Sequence, residues 1–183
     1  MRFNLKLPKD KLLELGTCQF VRQKEVVLLC CPLGTGKSHL AQALGHRACR
    51  VGHTVLYTTA HHFFISLRAA RADGSYDRQM LRYTGVKLLI LDDLGLRPLS
   101  SATAMDLYEL IRLRYERGAL RCTSNRAATD WGALFGDALL ASAAMDWLLH
   151  HASLVVMDGP PYRTQRGPKR KRTGPQDNQE AAS

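Results

Sequence analysis

Between a short apolar run, Val26–Cys30, and an amphipathic stretch over residues 38–51 lies Gly34-Thr35-Gly36-Lys37-Ser38. A glycine turn closed by lysine and a hydroxyl residue, set between a strand and a helix, restricts the fold more than any other feature here. Glycines let a loop curl so that successive backbone N–H groups point inward at phosphate oxygens. The helix that follows adds the positive end of its dipole. In such a loop Lys37 reaches the β- and γ-phosphates of a nucleotide, and the Ser38 hydroxyl binds Mg²⁺. The candidate cradle therefore runs through Cys31, Pro32, Leu33, Gly34, Thr35, Gly36, Lys37 and Ser38. Cys31 stands where the full pattern has its first glycine, and its small side chain is expected to weaken binding without abolishing it.

Two further motifs belong with a phosphate site. Leu88-Leu89-Ile90-Leu91-Asp92-Asp93 is an apolar run ending in paired carboxylates. A buried strand of this kind delivers its acids to the sheet edge where open α/β folds bind ligands. Asp92 is expected to hold Mg²⁺, directly or through water, and Asp93 to polarise an attacking water. Thr123-Ser124-Asn125 closes the next expected strand, and the Asn125 amide is placed to orient that water. An Asx turn is the plain alternative for Asn125.

The rest of the chain alternates the two periods. Strands are expected at residues 54–58, 119–123 and 154–157. Helices are expected at 9–15, 38–51, 63–71, 76–83, 103–117 and 137–150. Apolar strands separated by helices predict an α/β fold with a parallel sheet. No internal repeat is present.

At 183 residues the chain has one domain's length. Its five cysteines include no Cys-x-x-Cys pair and read as small buried hydrophobes, and its His doublets lack partners at metal-site spacing. No apolar run approaches the roughly 20 residues that span a bilayer, and no signal peptide is legible at the N-terminus. A cytoplasmic protein is expected. The net charge of +10 favours a polyanionic partner, with nucleic acid foremost. From Gly159 onward the composition changes. Arg163, Arg166, Lys169, Arg170, Lys171 and Arg172 crowd ten residues, then Gly, Pro, Gln and Asn follow, as in a disordered basic tail.

Together these residues resemble the IstB-like ATP-binding proteins of insertion sequences, relatives of the DnaC helicase loaders. The likeness runs from about Leu7 to Arg163. It includes Gly36-Lys37-Ser38-His39-Leu40-Ala41-Gln42-Ala43-Leu44, Leu91-Asp92-Asp93-Leu94-Gly95-Leu96-Arg97-Pro98-Leu99, Arg114-Tyr115-Glu116-Arg117-Gly118 and Trp131-Gly132-Ala133-Leu134-Phe135-Gly136-Asp137. The resemblance implies a P-loop NTPase of AAA+ type, with a five-stranded parallel sheet flanked by helices and a reduced C-terminal lid. It implies ATP and Mg²⁺ as cofactors, sequence-tolerant DNA binding, ATP-dependent homo-oligomerisation and assistance to the transposase of the same element. Lys37, Ser38, Asp92, Asp93 and Asn125 match the family's nucleotide residues. Arg163 resembles its second sensor arginine. A DnaC-like helicase loader, or a remnant that binds nucleotide without turnover, is the alternative.

Three departures accompany the likeness. The family's helical N-terminal domain, which precedes the position of Leu7, is missing, so the chain reads as truncated. Trp147 stands where the family pattern has an arginine able to complete a neighbour's ATP site. Arg121 places a charge in a strand that the family keeps apolar. The expected organisation is a remnant N-terminal segment at 1–24, the AAA+ ATP-binding domain at 25–163 and the tail at 164–183. ATP hydrolysis is the expected activity, lowered by the changes at positions 31 and 147.

Overall fold

A computed structural model of the protein describes residues 9–30, 34–127, 130–150 and 152–156. Within them the chain runs α1 (Lys9–Gly16), α2 (Gln19–Arg22), β1 (Val26–Cys30), α3 (Lys37–Arg50), β2 (Val55–Thr59), α4 (Ala60–Ala72) and α5 (Tyr76–Thr84). It continues through β3 (Leu88–Leu94), α6 (Ser101–Arg114), β4 (Ala119–Ser124), a 3-10 turn at Gly132–Leu134, α7 (Ala138–His150) and β5 (Ala152–Val156). Cys31, Pro32, Leu33 and Arg163, the lid and the basic tail lie outside the described residues.

The five strands form one sheet in the order β2-β3-β4-β1-β5, and every neighbouring pair is parallel. Their C-terminal ends therefore share one edge, and the loop after β1 opens there. Leu28, Leu29, Leu88, Leu89 and Leu91 show no exposure, as expected for strands covered on both faces. One face packs Leu28, Leu89, Leu91 and Leu120 against α4, α5, α6 and α7. The other packs Val27, Leu29, Leu88 and Ile90 against α1, α2 and α3. At Gly45 a Cβ would come within 2.8 Å of Ile90 Cδ1, so glycine there lets α3 lie close on β3.

Helix starts follow local chemistry. Thr59 accepts from the His62 N–H, Ser100 from the Thr103 N–H and Asp137 from the Leu140 N–H, each satisfying a first-turn donor. The expected helix over 103–117 instead runs Ser101–Arg114, because Glu116 takes a left-handed conformation at φ 54°. The α2 turn carries no periodic signature and escaped the sequence reading. The cysteines divide: Cys18, Cys30 and Cys122 are buried as expected, but Cys49 is exposed. No helix among the described residues is long and apolar enough to cross a membrane.

Three charged groups tie the layers together in different ways. The nearly buried Asp106 carboxylate takes both ends of the Arg71 guanidinium, at 2.6 and 2.8 Å, and the Tyr76 hydroxyl at 2.8 Å. That joins α4, α5 and α6. Arg114, 2% exposed, donates to the carbonyls of Tyr83 (2.8 Å), Val86 (3.1 Å) and Ala119 (2.6 Å), pinning α6 to the starts of β3 and β4. Arg121 is the contrast. It is fully buried in β4, and all three guanidinium nitrogens lack an acceptor among the described residues. The Phe20 ring lies 6.0 Å away.

Burial drives the Arg121 guanidinium well below the ordinary arginine range, to about 9. The unfolded chain holds this proton more tightly than the folded one. The destabilisation is therefore present in full below pH 9 and fades as pH rises from there toward the ordinary arginine range. Arg121→Leu removes an unpaired buried cation and restores an apolar strand. It is expected to raise stability by about 2 kcal/mol, or about 4–8 °C in Tm at neutral pH. A lower melting temperature would show that the guanidinium is compensated.

Candidate functional site

The site forms where the C-terminal ends of β1, β3 and β4 meet the start of α3. Gly34 and Gly36 sit at φ 83° and 95°, a region closed to most side chains, so the loop takes its curl from glycine. Whereas α4, α6 and α7 open on capping side chains, α3 opens on Gly36 with no side-chain cap. Its first-turn N–H groups thus meet no side-chain acceptor at the cap, which suits a bound anion. Lys37, the first residue of α3, is only 5% exposed.

Across from this helix start lies Asp92, 2% exposed. Its Oδ1 accepts from the Thr123 hydroxyl and its Oδ2 from the Tyr57 hydroxyl at 2.5 Å. Burial, together with the bond to Asp92, pushes the Tyr57 phenol up to about 12, so at neutral pH it remains a donor. The Gln42 side chain of α3 hydrogen-bonds the same phenol. Tyr57 was missed in the sequence reading. The one available signal, a polar aromatic facing α3 at the strand end, is too common to single it out.

The carboxylate pair rests on a bulge. Leu91 pairs with Cys122 and Leu94 with Ser124, so Asp92 and Asp93 together face the single residue Thr123. Asp93 adopts φ 58°, a left-handed conformation that aspartate tolerates better than most residues. In a regular strand consecutive side chains point to opposite faces; the bulge breaks that alternation at the site. The Asp93 N–H leaves the ladder and donates instead to Thr123 Oγ1 at 2.9 Å. Thr123 thus serves Asp92 as donor and Asp93 as acceptor. Sequence reasoning placed Thr123 in the motif but gave it no task.

Asn125 follows β4, and its Oδ1 is buried with no partner among the described residues. Ser124 donates to the Leu94 carbonyl at 2.8 Å and Arg126 to the Gly95 carbonyl at 2.6 Å, bracing β4 against the turn after β3. The donor set fits a hard cation: Ser38 and Asp92 offer oxygen only, as Mg²⁺ prefers. The orphaned Asn125 oxygen adds a polar group with capacity for a water. Trp147 is elsewhere, half-buried on α7 with ring centroids 5.2 Å from Tyr115 and 6.2 Å from Tyr108. The structure therefore gathers Gly34, Gly36, Lys37, Ser38, Asp92 and Asn125 at one edge, with Asp93 on the adjoining bulge.

Residues 1–170 match the family model for IstB-like ATP binding proteins. An IS21 insertion-sequence ATP-binding protein of Pseudomonas aeruginosa is 38% identical over 158 residues, covering 86% of this chain and 59% of its own length. An insertion-sequence ATP-binding protein of Mycobacterium tuberculosis is 38% identical over 168 residues, covering 91% and 67% respectively. The chain thus spans about three-fifths of the first of these relatives and two-thirds of the second. Among solved structures, a DnaC helicase loader superposes with TM-score 0.68 at 19% identity, over 81% of this chain and 89% of that one. A DnaA replication initiator bound to AMPPCP and single-stranded DNA gives 0.69 at 20% identity, over 85% and 47%. At those identities the likeness is one of fold, the AAA+ P-loop NTPase.

Thr123→Val keeps the shape of the side chain but strands the Asp93 N–H and one Asp92 oxygen. It is expected to cost about 2 kcal/mol of stability in a denaturant titration, with Thr123→Ser close to the natural protein. Equal stability of the valine variant would mean that the bulge does not depend on this hydroxyl.

Proposed function

The chain belongs to the IstB-like ATP-binding protein family, and from that membership we propose that it is an ATP-hydrolysing helper of insertion-sequence transposition. The observation that carries this reading is the meeting of an uncapped α3 N-terminus, a buried lysine and a buried aspartate at one sheet edge. The loop from Cys31 to Ser38 cradles the phosphates. Lys37 neutralises the β- and γ-phosphoryl oxygens, while Ser38 and Asp92 hold Mg²⁺, which supplies charge neutralisation on the phosphates when bound. Asn125 orients a water. Asp93 accepts its proton as the water oxygen bonds to the γ-phosphorus, and the bond to the β-γ bridging oxygen breaks to release ADP. Arg163, outside the described residues, takes the role of the family's second sensor arginine in this reading.

Such a protein works on DNA without sequence preference, assembles with further copies of itself when ATP is bound, and assists the transposase of its own element in the cytoplasm. The net charge of +10 supports the DNA partner. The half-buried Trp147, anchored on Tyr108 and Tyr115, favours a second reading: weak turnover, because it cannot supply the cation its family position implies. Steady-state ATPase with and without DNA separates the helper from a nucleotide-binding remnant.

The central test is a nucleotide titration of Lys37→Ala. Losing a charge-assisted contact to the triphosphate is expected to weaken ATP binding at least about tenfold. Unchanged affinity would remove the nucleotide reading.

Duplex DNA binding is expected to weaken steeply with salt, each phosphate contact adding about 0.9 to the slope of log affinity against log salt. Deleting residues 166–183 is expected to reduce that slope. Salt-independent or undetectable binding would count against the DNA partner.

A further inference from the structure

Asp92 is clasped by two hydroxyl donors of opposite character. Thr123 is fully buried, and its oxygen also accepts from the Asp93 N–H, so moving it would strand a backbone donor beside the bulge. Tyr57 stands on β2, the edge strand of the sheet, and is 38% exposed. Its phenol bonds Asp92 Oδ2 at 2.5 Å and is also bonded by Gln42. Gln42 lies four residues after Ser38, one turn along the same face of α3. A tyrosine that leaves Asp92 thus keeps a polar neighbour and reaches solvent; a threonine that leaves loses both of its bonds.

With both oxygens engaged by hydroxyls, the carboxylate offers a reduced acceptor to any metal ion or metal-bound water. A metal-bound water is itself a strong donor and competes for the same lone pairs. Each oxygen keeps a second lone pair, but a ligand arriving at Oδ2 crowds the phenol there, and the exposed edge residue is the donor that can yield at little cost.

We propose that Tyr57 is a displaceable latch on Asp92. Its hydroxyl holds Oδ2 when no metal is bound and gives way when metal and nucleotide arrive together, while Thr123 stays in place. Tyr57 is in this sense a positioning residue that acts through Asp92. The phenol that swings away on the exposed edge makes β2 a surface that differs between the two states. The proposal rests on the nucleotide reading given above.

The test measures binding of β,γ-methylene ATP to the full chain by calorimetry, first in EDTA and then across a Mg²⁺ series. In Tyr57→Phe, affinity in EDTA is expected to stay within about twofold of the natural protein, while the Mg²⁺ concentration for half-maximal enhancement falls about fivefold. A merely structural role would move both quantities together. Thr123→Val is expected to raise the Mg²⁺ requirement. Should Tyr57→Phe melt early, Tyr57→Leu, which also lacks the hydroxyl, carries the same expectation. An unchanged or increased Mg²⁺ requirement in a folded Tyr57 variant, with the natural chain still Mg²⁺-dependent, overturns the latch and leaves the nucleotide reading standing. A natural chain that binds the analogue in neither condition overturns the nucleotide reading, and the latch falls with it.

Discussion

A carboxylate at the end of a central strand has to be given hydrogen bonds, because burial without them costs several kcal/mol. At Asp92 the fold supplies them from two neighbouring structures, Tyr57 on β2 and Thr123 on β4. The second bond is possible only because two residues of β3 face one residue of β4, which brings the threonine hydroxyl between the Asp92 side chain and the Asp93 backbone. Local strain at Asp93 is thus matched by a specific hydrogen bond. That bond ties β3 to β4 across the register shift, at the edge where Asn125 lies. A regular strand would keep its ladder and lose the arrangement.

The two ends of the sheet treat buried charge differently. At the N-terminal end Arg114 spreads its donors over the backbone carbonyls of Tyr83, Val86 and Ala119, and it acts as a clamp. Burial still draws its guanidinium down to about 10. In the middle, Arg121 has the same burial without acceptors. One arginine holds elements together and the other opposes the core around it, although both are equally hidden from water. The difference lies in geometry: Arg114 leaves the end of a helix toward the starts of two strands, whereas Arg121 projects from the middle of β4, where its nitrogens meet no acceptor among the described residues. Charge count alone says nothing of this.

Much of the fold was legible because its signals are local. The run Val26–Cys30 and the glycines after it gave β1 and the start of α3 within a residue, since glycine, lysine and apolar periodicity act over short distances. The parallel sheet followed from alternation. The places of Lys37, Ser38, Asp92 and Asn125 at the ends of β1, β3 and β4 were legible for the same reason: each sits at a fixed offset from a strand end. Tyr57 and the role of Thr123 were not, because their importance arises from strands 35 and 31 residues from Asp92 coming into contact. The bulge was invisible too. Nothing in Leu-Asp-Asp-Leu distinguishes a strand that ends at Asp92 from one that kinks and continues to Leu94. Likewise α6 ends three residues before the expected 117, where Tyr115 and Glu116 leave the helical conformation, a break with no periodic trace.

The stretch before β1 looks peripheral by composition, yet it shares a core with the helix that starts at Lys37. Leu15, Cys18, Phe20 and Val21 are buried together with Leu40, Ala41 and Leu44 of α3, and Arg47 of α3 donates to the Gly16 carbonyl at 3.2 Å. A helix can present its N-terminus to an anion only if its far end is held, because a phosphate pulls on the first turn alone. α1 and α2 provide that hold on one flank and Ile90 at Gly45 on the other. Arg121 of β4 lies beside the same core, its guanidinium carbon 6.0 Å from the centroid of the Phe20 ring of α2. The seat of the phosphate helix and the fully buried arginine of β4 therefore lie under one cover, in which Phe20 of α2 is common to both.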